Sequence, residues 1–114
     1  MCDITLYTNF GIPERFAGYT IGPLILIRPT HREDRGLLEH ERVHVRQFWR
    51  SFGLMPLLYW LSPVYRFRAE VEAYRVQLQY RPEMAYRYAL FIAEKYRIDV
   101  SVETALRALN APGD

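Results

Sequence analysis

The 114-residue chain is short of several things at once. Its single cysteine, Cys2, rules out an internal disulfide and excludes the cysteine-rich zinc modules. Among 15 basic residues only Lys95 is a lysine. Three histidines, His31, His40 and His44, leave few imidazoles for any metal site. Long apolar runs are absent too. The most apolar stretch, residues 53–61, is interrupted by Pro56 and falls far short of the ~20 residues needed to cross a bilayer. The opening Met-Cys-Asp-Ile-Thr-Leu has no basic stretch followed by an apolar one, so no secretory signal is expected and the expected compartment is the cytoplasm. A net charge of +2 with dispersed arginines argues against a nucleic-acid partner.

What is present fits a soluble globular chain, half apolar and one quarter charged. The length suits one domain spanning residues 1–114, able to bury roughly 65% of its unfolded surface. Nine tyrosines, six phenylalanines and two tryptophans make the composition aromatic.

Residues 3–8 alternate and contain β-formers, which predicts a strand. Residues 9–18 hold two glycines and Pro13 and read as a loop. Residues 19–28 read as a second strand, with Pro23 favouring an edge position because it cannot donate to a ladder. Thr30 and Glu33 have capping-box spacing, which predicts a helix from there to about Phe52, stopped by Gly53. Residues 53–61 are expected to form a buried turn between helices; a lip of a substrate cleft and a membrane-surface contact are the other readings. Pro63 suits the first turn of a helix reaching about Tyr80. A third helix runs from about Pro82 to Tyr96, and Ser101 caps a short last one. The fold class is α+β, a small N-terminal β-sheet followed by a helical part.

The chemistry lies in His40-Glu41-Arg42-Val43-His44, an H-E-x-x-H pattern on a predicted helix. Residues i and i+4 share a helical face, so both imidazoles can reach one metal at ~2.0–2.1 Å. Glu41 projects beside them, where its carboxylate can take a proton from a water on the metal. At about 100° per residue, Leu37, Glu41, His44, Val45, Phe48 and Phe52 form one stripe. A carboxylate within an apolar stripe is costly unless something compensates it.

A catalytic zinc usually has three protein ligands and one open position. His31 precedes His40 by about 13 Å of helical rise and is excluded if the helix is continuous. Glu70 and Glu72 on the second long helix are the better candidates. Val64, Phe67, Val71, Tyr74 and Leu78 define that helix's buried stripe. Glu70 lies about 40° from its nearest member and Glu72 about 80°, so the phase favours Glu70, with Glu72 as the alternative.

At these residues the chain resembles the gluzincin metallopeptidases, which join an H-E-x-x-H helix to a second helix bearing a glutamate ligand, often within E-x-x-A-D. The counterparts are His40, Glu41 and His44, then Glu70 followed by Ala73. The chain is similar in particular to the small stand-alone minigluzincins, with a minimal zincin-like fold, over roughly residues 19–80. Tyr74 stands where many relatives have an aspartate that orients a histidine ligand. The resemblance implies zinc held by His40, His44 and Glu70, with Glu41 as general base and later acid in peptide-bond hydrolysis. It also implies a peptide or protein substrate lying along an edge strand, for which residues 27–28 are the candidate. Tyr74, Tyr19, Tyr65 and Arg75 are candidate oxyanion donors. The reading from another class is a catalytically silent, zinc-stabilised binding or regulatory module; a third is a membrane-surface helper using residues 53–61.

Overall fold

The structure is a computed structural model that describes residues 3–111; Cys2 lies outside them. Three short strands come first: β1 (Ile4–Tyr7), β2 (Gly18–Ile21) and β3 (Leu24–Ile27). Five α-helices follow: α1 (Arg35–Arg50), α2 (Met55–Leu61), α3 (Pro63–Leu78), α4 (Ala85–Lys95) and α5 (Val102–Asn110). The α+β layout expected from the order of patterns is the one observed.

The expected single strand over 19–28 is two strands. Gly22, with φ +58, and Pro23 form a two-residue turn that folds β2 back on β3, pairing Ile21 with Leu24. A glycine of positive φ at the first turn position suits such a hairpin. Pro23 therefore sits in the turn, where its missing N–H costs no ladder bond. The sheet order is β1-β3-β2, with β1 parallel and β2 antiparallel to β3. The central strand β3 buries Ile25, Leu26 and Ile27. Residues 27–28, the expected edge, thus belong to the middle of the sheet and its exit; the edge strands are β1 and β2.

Helix α1 begins later than the capping-box spacing suggested. Thr30 lies in a 3-10 turn, Pro29–His31, and the cap is Asp34, whose Oδ1 accepts from Leu37 N at 3.0 Å. Phe52 and Gly53 both take positive φ, and Gly53 N returns to Phe48 O at 2.8 Å, a left-handed termination of the helix. The predicted α1 stripe ends too late, for Phe52 is 94% exposed. On α3, Ser62 accepts from Tyr65 N; Ser101 caps α5 by accepting from Thr104 N.

Two apolar clusters organise the chain. Ile25, Ile27, Leu37 and Val45 join β3 to α1. Tyr74, Tyr88, Ala89, Ile92, Ile98, Ala105 and Leu109 join α3, α4 and α5. Because α3 packs against α1 on one side and α4–α5 on the other, its buried surface is wider than the predicted stripe, of which Tyr74 is buried and Phe67, Val71 and Leu78 are partly buried. Ala69, Glu70, Ala73, Tyr74 and Gln77 are buried, whereas Val64 is 63% exposed.

Residues 53–61 are not a buried turn. Residues 55–61 of this stretch form α2, none of whose residues is buried; Trp60 is 75% exposed. Among the described residues no helix is long and apolar enough to cross a membrane.

This division of labour has a direct test. Ile92 is fully buried, so Ile92→Ala is expected to cost about 2–5 kcal/mol. Leu57 is half exposed, and Leu57→Ala is expected to cost well under about 1 kcal/mol. Urea unfolding measures both; equal losses would contradict the packing described.

Candidate metal centre

The seam between the two clusters is polar. Along the side of α1 away from the sheet core, His40 and His44 turn their Nε2 atoms toward α3, where Glu70 points back. Glu70 Oε1 lies 3.3 Å from His40 Nε2 and Oε2 lies 3.3 Å from His44 Nε2. All three side chains are buried, Glu70 to 1% exposure. Their donor atoms lie within 4.8 Å of one another and could hold a metal ion. The structure brings together His40, His44 and Glu70, the residues that the helical phase favoured, and leaves Glu72 outside. Glu72 is exposed and engages Arg50 at 2.9 Å and Gln47 at 2.8 Å. His31 is exposed and stands apart.

The donor set fits a metal on two counts. Two imidazole nitrogens and a carboxylate are a common zinc set. Glu70 Oε1 is buried without a hydrogen bond, although buried acceptors are nearly always satisfied. His40 Nε2, 3.3 Å away, is at ion-pair distance but not in hydrogen-bond geometry.

His44 is held by a network that periodicity did not single out. Gln47 lies one turn on, with its Nε2 donating to Ala69 O at 3.1 Å and to Glu72 Oε1 at 2.8 Å. That fixes the amide orientation, so its carbonyl faces His44 Nδ1 at 2.8 Å. His44 Nδ1 must then carry a proton, which leaves Nε2 as the ligating atom. The i, i+3 spacing of His44 and Gln47 is the only sequence signal of this support.

His40 is supported differently. Its Nδ1 has no hydrogen-bond partner. Tyr74 packs edge-on against the ring with centroids 4.3 Å apart, and its hydroxyl bonds Tyr96 at 2.7 Å. Tyr74 therefore positions His40 by contact and offers it no acceptor.

Glu41 is buried against the sheet. Its Oε1 accepts from Thr20 Oγ1 at 2.7 Å. Gly18 allows the approach, because a Cβ there would lie 3.2 Å from Oε2. Tyr59 of α2 donates its hydroxyl to Glu70 Oε2. Tyr59 lies within the stretch read as a turn, so its approach to α3 had no signal in spacing.

His40, Glu41, His44, Tyr59 and Glu70 line a cleft of about 870 Å³, whose walls include β2, Met55, Pro56 and Trp60 of α2, and residues 95–97 at the end of α4. Of the candidate oxyanion donors only Tyr19 lines it. Tyr74 packs edge-on against His40, Tyr65 lies in the first turn of α3 outside the lining, and Arg75 donates to Ala111 O.

The electrostatics follow from burial and proximity. Burial alone would lower His44, but the Glu70 carboxylate, helped by Glu41 and Gln47, raises it from 6.5 to about 9. Burial alone would raise Glu70, but the two histidines hold it well below the usual carboxylate range. Burial, reinforced by Glu70, pushes the Tyr59 hydroxyl far above its usual range, so it stays a neutral donor.

The sign of a pH effect is then fixed. A raised histidine stabilises the metal-free fold fully below 6.5 and ceases to as the pH passes about 9. A metal must expel that proton, while Glu70 is already ionised. Apparent affinity for a divalent metal is expected to climb about tenfold per pH unit between 6.5 and 8.5 and to level off above 9. Competition titration against a chromophoric chelator measures it; a flat profile would contradict the His44–Glu70 pairing. Compared with family models, curated proteins and solved structures, the chain finds no match.

Proposed function

We propose that the chain is a zinc-dependent hydrolase of peptide bonds. The observation that carries the reading is the convergence of His40, His44 and Glu70 on one point at an open cleft, beside Glu41 and an edge strand. Two elements meet the ligand requirement, and neither is spared for packing alone.

Zinc at this point would supply Lewis acidity, lowering the pKa of water and polarising a carbonyl. The chain's residues supply the rest. Glu41 occupies the position that accepts the proton of the attacking water and returns it to the leaving amine. Thr20 holds Glu41 by one oxygen at 2.7 Å, which leaves the other available for that transfer. Gln47 fixes the His44 tautomer, and Tyr59 steadies Glu70. The edge strand β2 offers an extended peptide main-chain pairing, as strand-adding binders do. This moves the substrate-aligning role from residues 27–28 to residues 18–21.

A catalytically silent zinc module would need the same three ligands but not Glu41 against Thr20. The open cleft favours the enzyme. No described residue beyond Arg97 lines it, so α5 does not cover it.

Purified protein is expected to hold about one equivalent of zinc, lost in His40→Ala and His44→Ala. Glu70→Ala is expected to weaken binding far more than Glu72→Ala. Glu41→Gln should keep the zinc and lower peptide hydrolysis by about 10²–10⁴-fold. Zinc content by elemental analysis and turnover of a peptide library decide the matter. Undiminished hydrolysis by Glu41→Gln would remove this mechanism, and a zinc-replete parent that cleaves nothing would favour the silent module.

A further inference from the structure

The cleft is lined by charges of both signs, the carboxylates Glu41 and Glu70 and the cations Arg15, Arg66, Lys95 and Arg97. Among the described residues no ion pair joins any of these four cations to an acid. Elsewhere arginines do find acids, as Arg35, Arg42, Arg50 and Arg81 show.

The cations are also held in place. Arg15 Nε donates to Lys95 O at 3.2 Å, and Lys95 Nζ donates to Arg15 O at 3.1 Å. This reciprocal pair ties the loop before β2 to the end of α4. Arg15 lies over the Phe16 ring at 4.6 Å, and Phe16 stacks on Tyr96 at 5.3 Å. Arg66 spends its donors on main-chain carbonyls, including those of Tyr96 and Arg97, so it braces the site rather than offering a free charge to a ligand. Arg97 holds a positive φ of 56, which turns the chain sharply at the rim. Two cations tethered to each other repel, and burial together with Arg15 depresses Lys95. An anion would relieve this.

We propose that this cation cluster in the cleft is a carboxylate-binding subsite, in which Arg15, Lys95 and Arg97 hold an acidic side chain or free C-terminal carboxylate of a peptide lying along β2. The inference rests on the peptide-hydrolase reading for the identity of the ligand. Charge selection at a cleft also steers encounter, so acidic peptides would be favoured before they reach the metal centre.

The test uses equilibrium binding, separate from turnover. The zinc-loaded Glu41→Gln chain is titrated into fluorescein-labelled alanine–serine decapeptides, followed by anisotropy. One pair differs only by Glu against Gln; a second pair differs only by a free against an amidated C terminus. A carboxylate peptide is expected to bind about five- to tenfold tighter than its neutral counterpart. The preference is expected to vanish in Arg15→Gln/Arg97→Gln and to shrink in about 0.5 M salt. The pair that shows the preference identifies the source of the carboxylate. Circular dichroism checks that the double variant folds, and Arg97→Gln alone, at an exposed position, should give a partial loss. Equal binding within both pairs, or a preference that survives the double variant, overturns the subsite. If the parent cleaves nothing yet the preference holds, the hydrolase reading falls and the subsite stands.

Discussion

A carboxylate buried to 1% exposure is the constraint around which the centre is built. Glu70 cannot be left there alone, because removing the partners of a buried charge costs about 3–5 kcal/mol. Helix α1 must therefore run at a phase and depth that present two imidazoles to α3, and α2 must fold back far enough to bring Tyr59 to Glu70 Oε2. The two apolar clusters lie on either side of this seam and fix the spacing of the helices that carry it. Neither cluster alone would align α1 with α3. The polar group that is most expensive to bury thus sets the geometry of elements whose own cores are ordinary.

How much of this could be read from residues alone depended on how local the signal was. His40, Glu41 and His44 lie within five residues on one helix, and their convergence needs only the 3.6-residue period. Glu70 was reachable because a helix has one phase relative to its neighbour, even though the stripe used to find that phase was imperfect. Val64 was counted as buried and is exposed, while Ala69 and Ala73 face the interior. Two packing partners on opposite sides of α3 blur an amphipathic pattern that assumes one. The strand over 19–28 was misread because Gly22-Pro23 interrupts an apolar run that otherwise looks continuous. Thr30 lost the cap to Asp34 because Pro29 and the residues after it tighten into a 3-10 turn before the α-helix can start.

Gln47 and Tyr59 were not legible, and for the same physical reason. Each acts through a partner 11 or more residues away: Tyr59 through Glu70, and Gln47 through Ala69 and Glu72. Nothing in local spacing distinguishes a glutamine that locks a tautomer from one that is solvated. Tyr74 illustrates the reverse. Its position one turn after Glu70 was visible, but its consequence was not: the ring packs edge-on against His40, and His40 Nδ1 has no hydrogen-bond partner.

Arg66 shows how the walls of the cleft are joined. Its guanidinium donates to Tyr59 O and Trp60 O in α2, and to Tyr96 O and Arg97 O just beyond α4. One cation thereby serves the carbonyl ends of two helices, where the helix dipoles place negative charge. Three helices are riveted at a single point on one side of the groove. The opposite bank, β2, is a four-residue strand bonded along only one of its edges. The two banks are accordingly braced in different ways: one guanidinium cross-links the helical bank, while β2 is held from its flank by the Thr20 hydroxyl, which donates to Glu41 of α1.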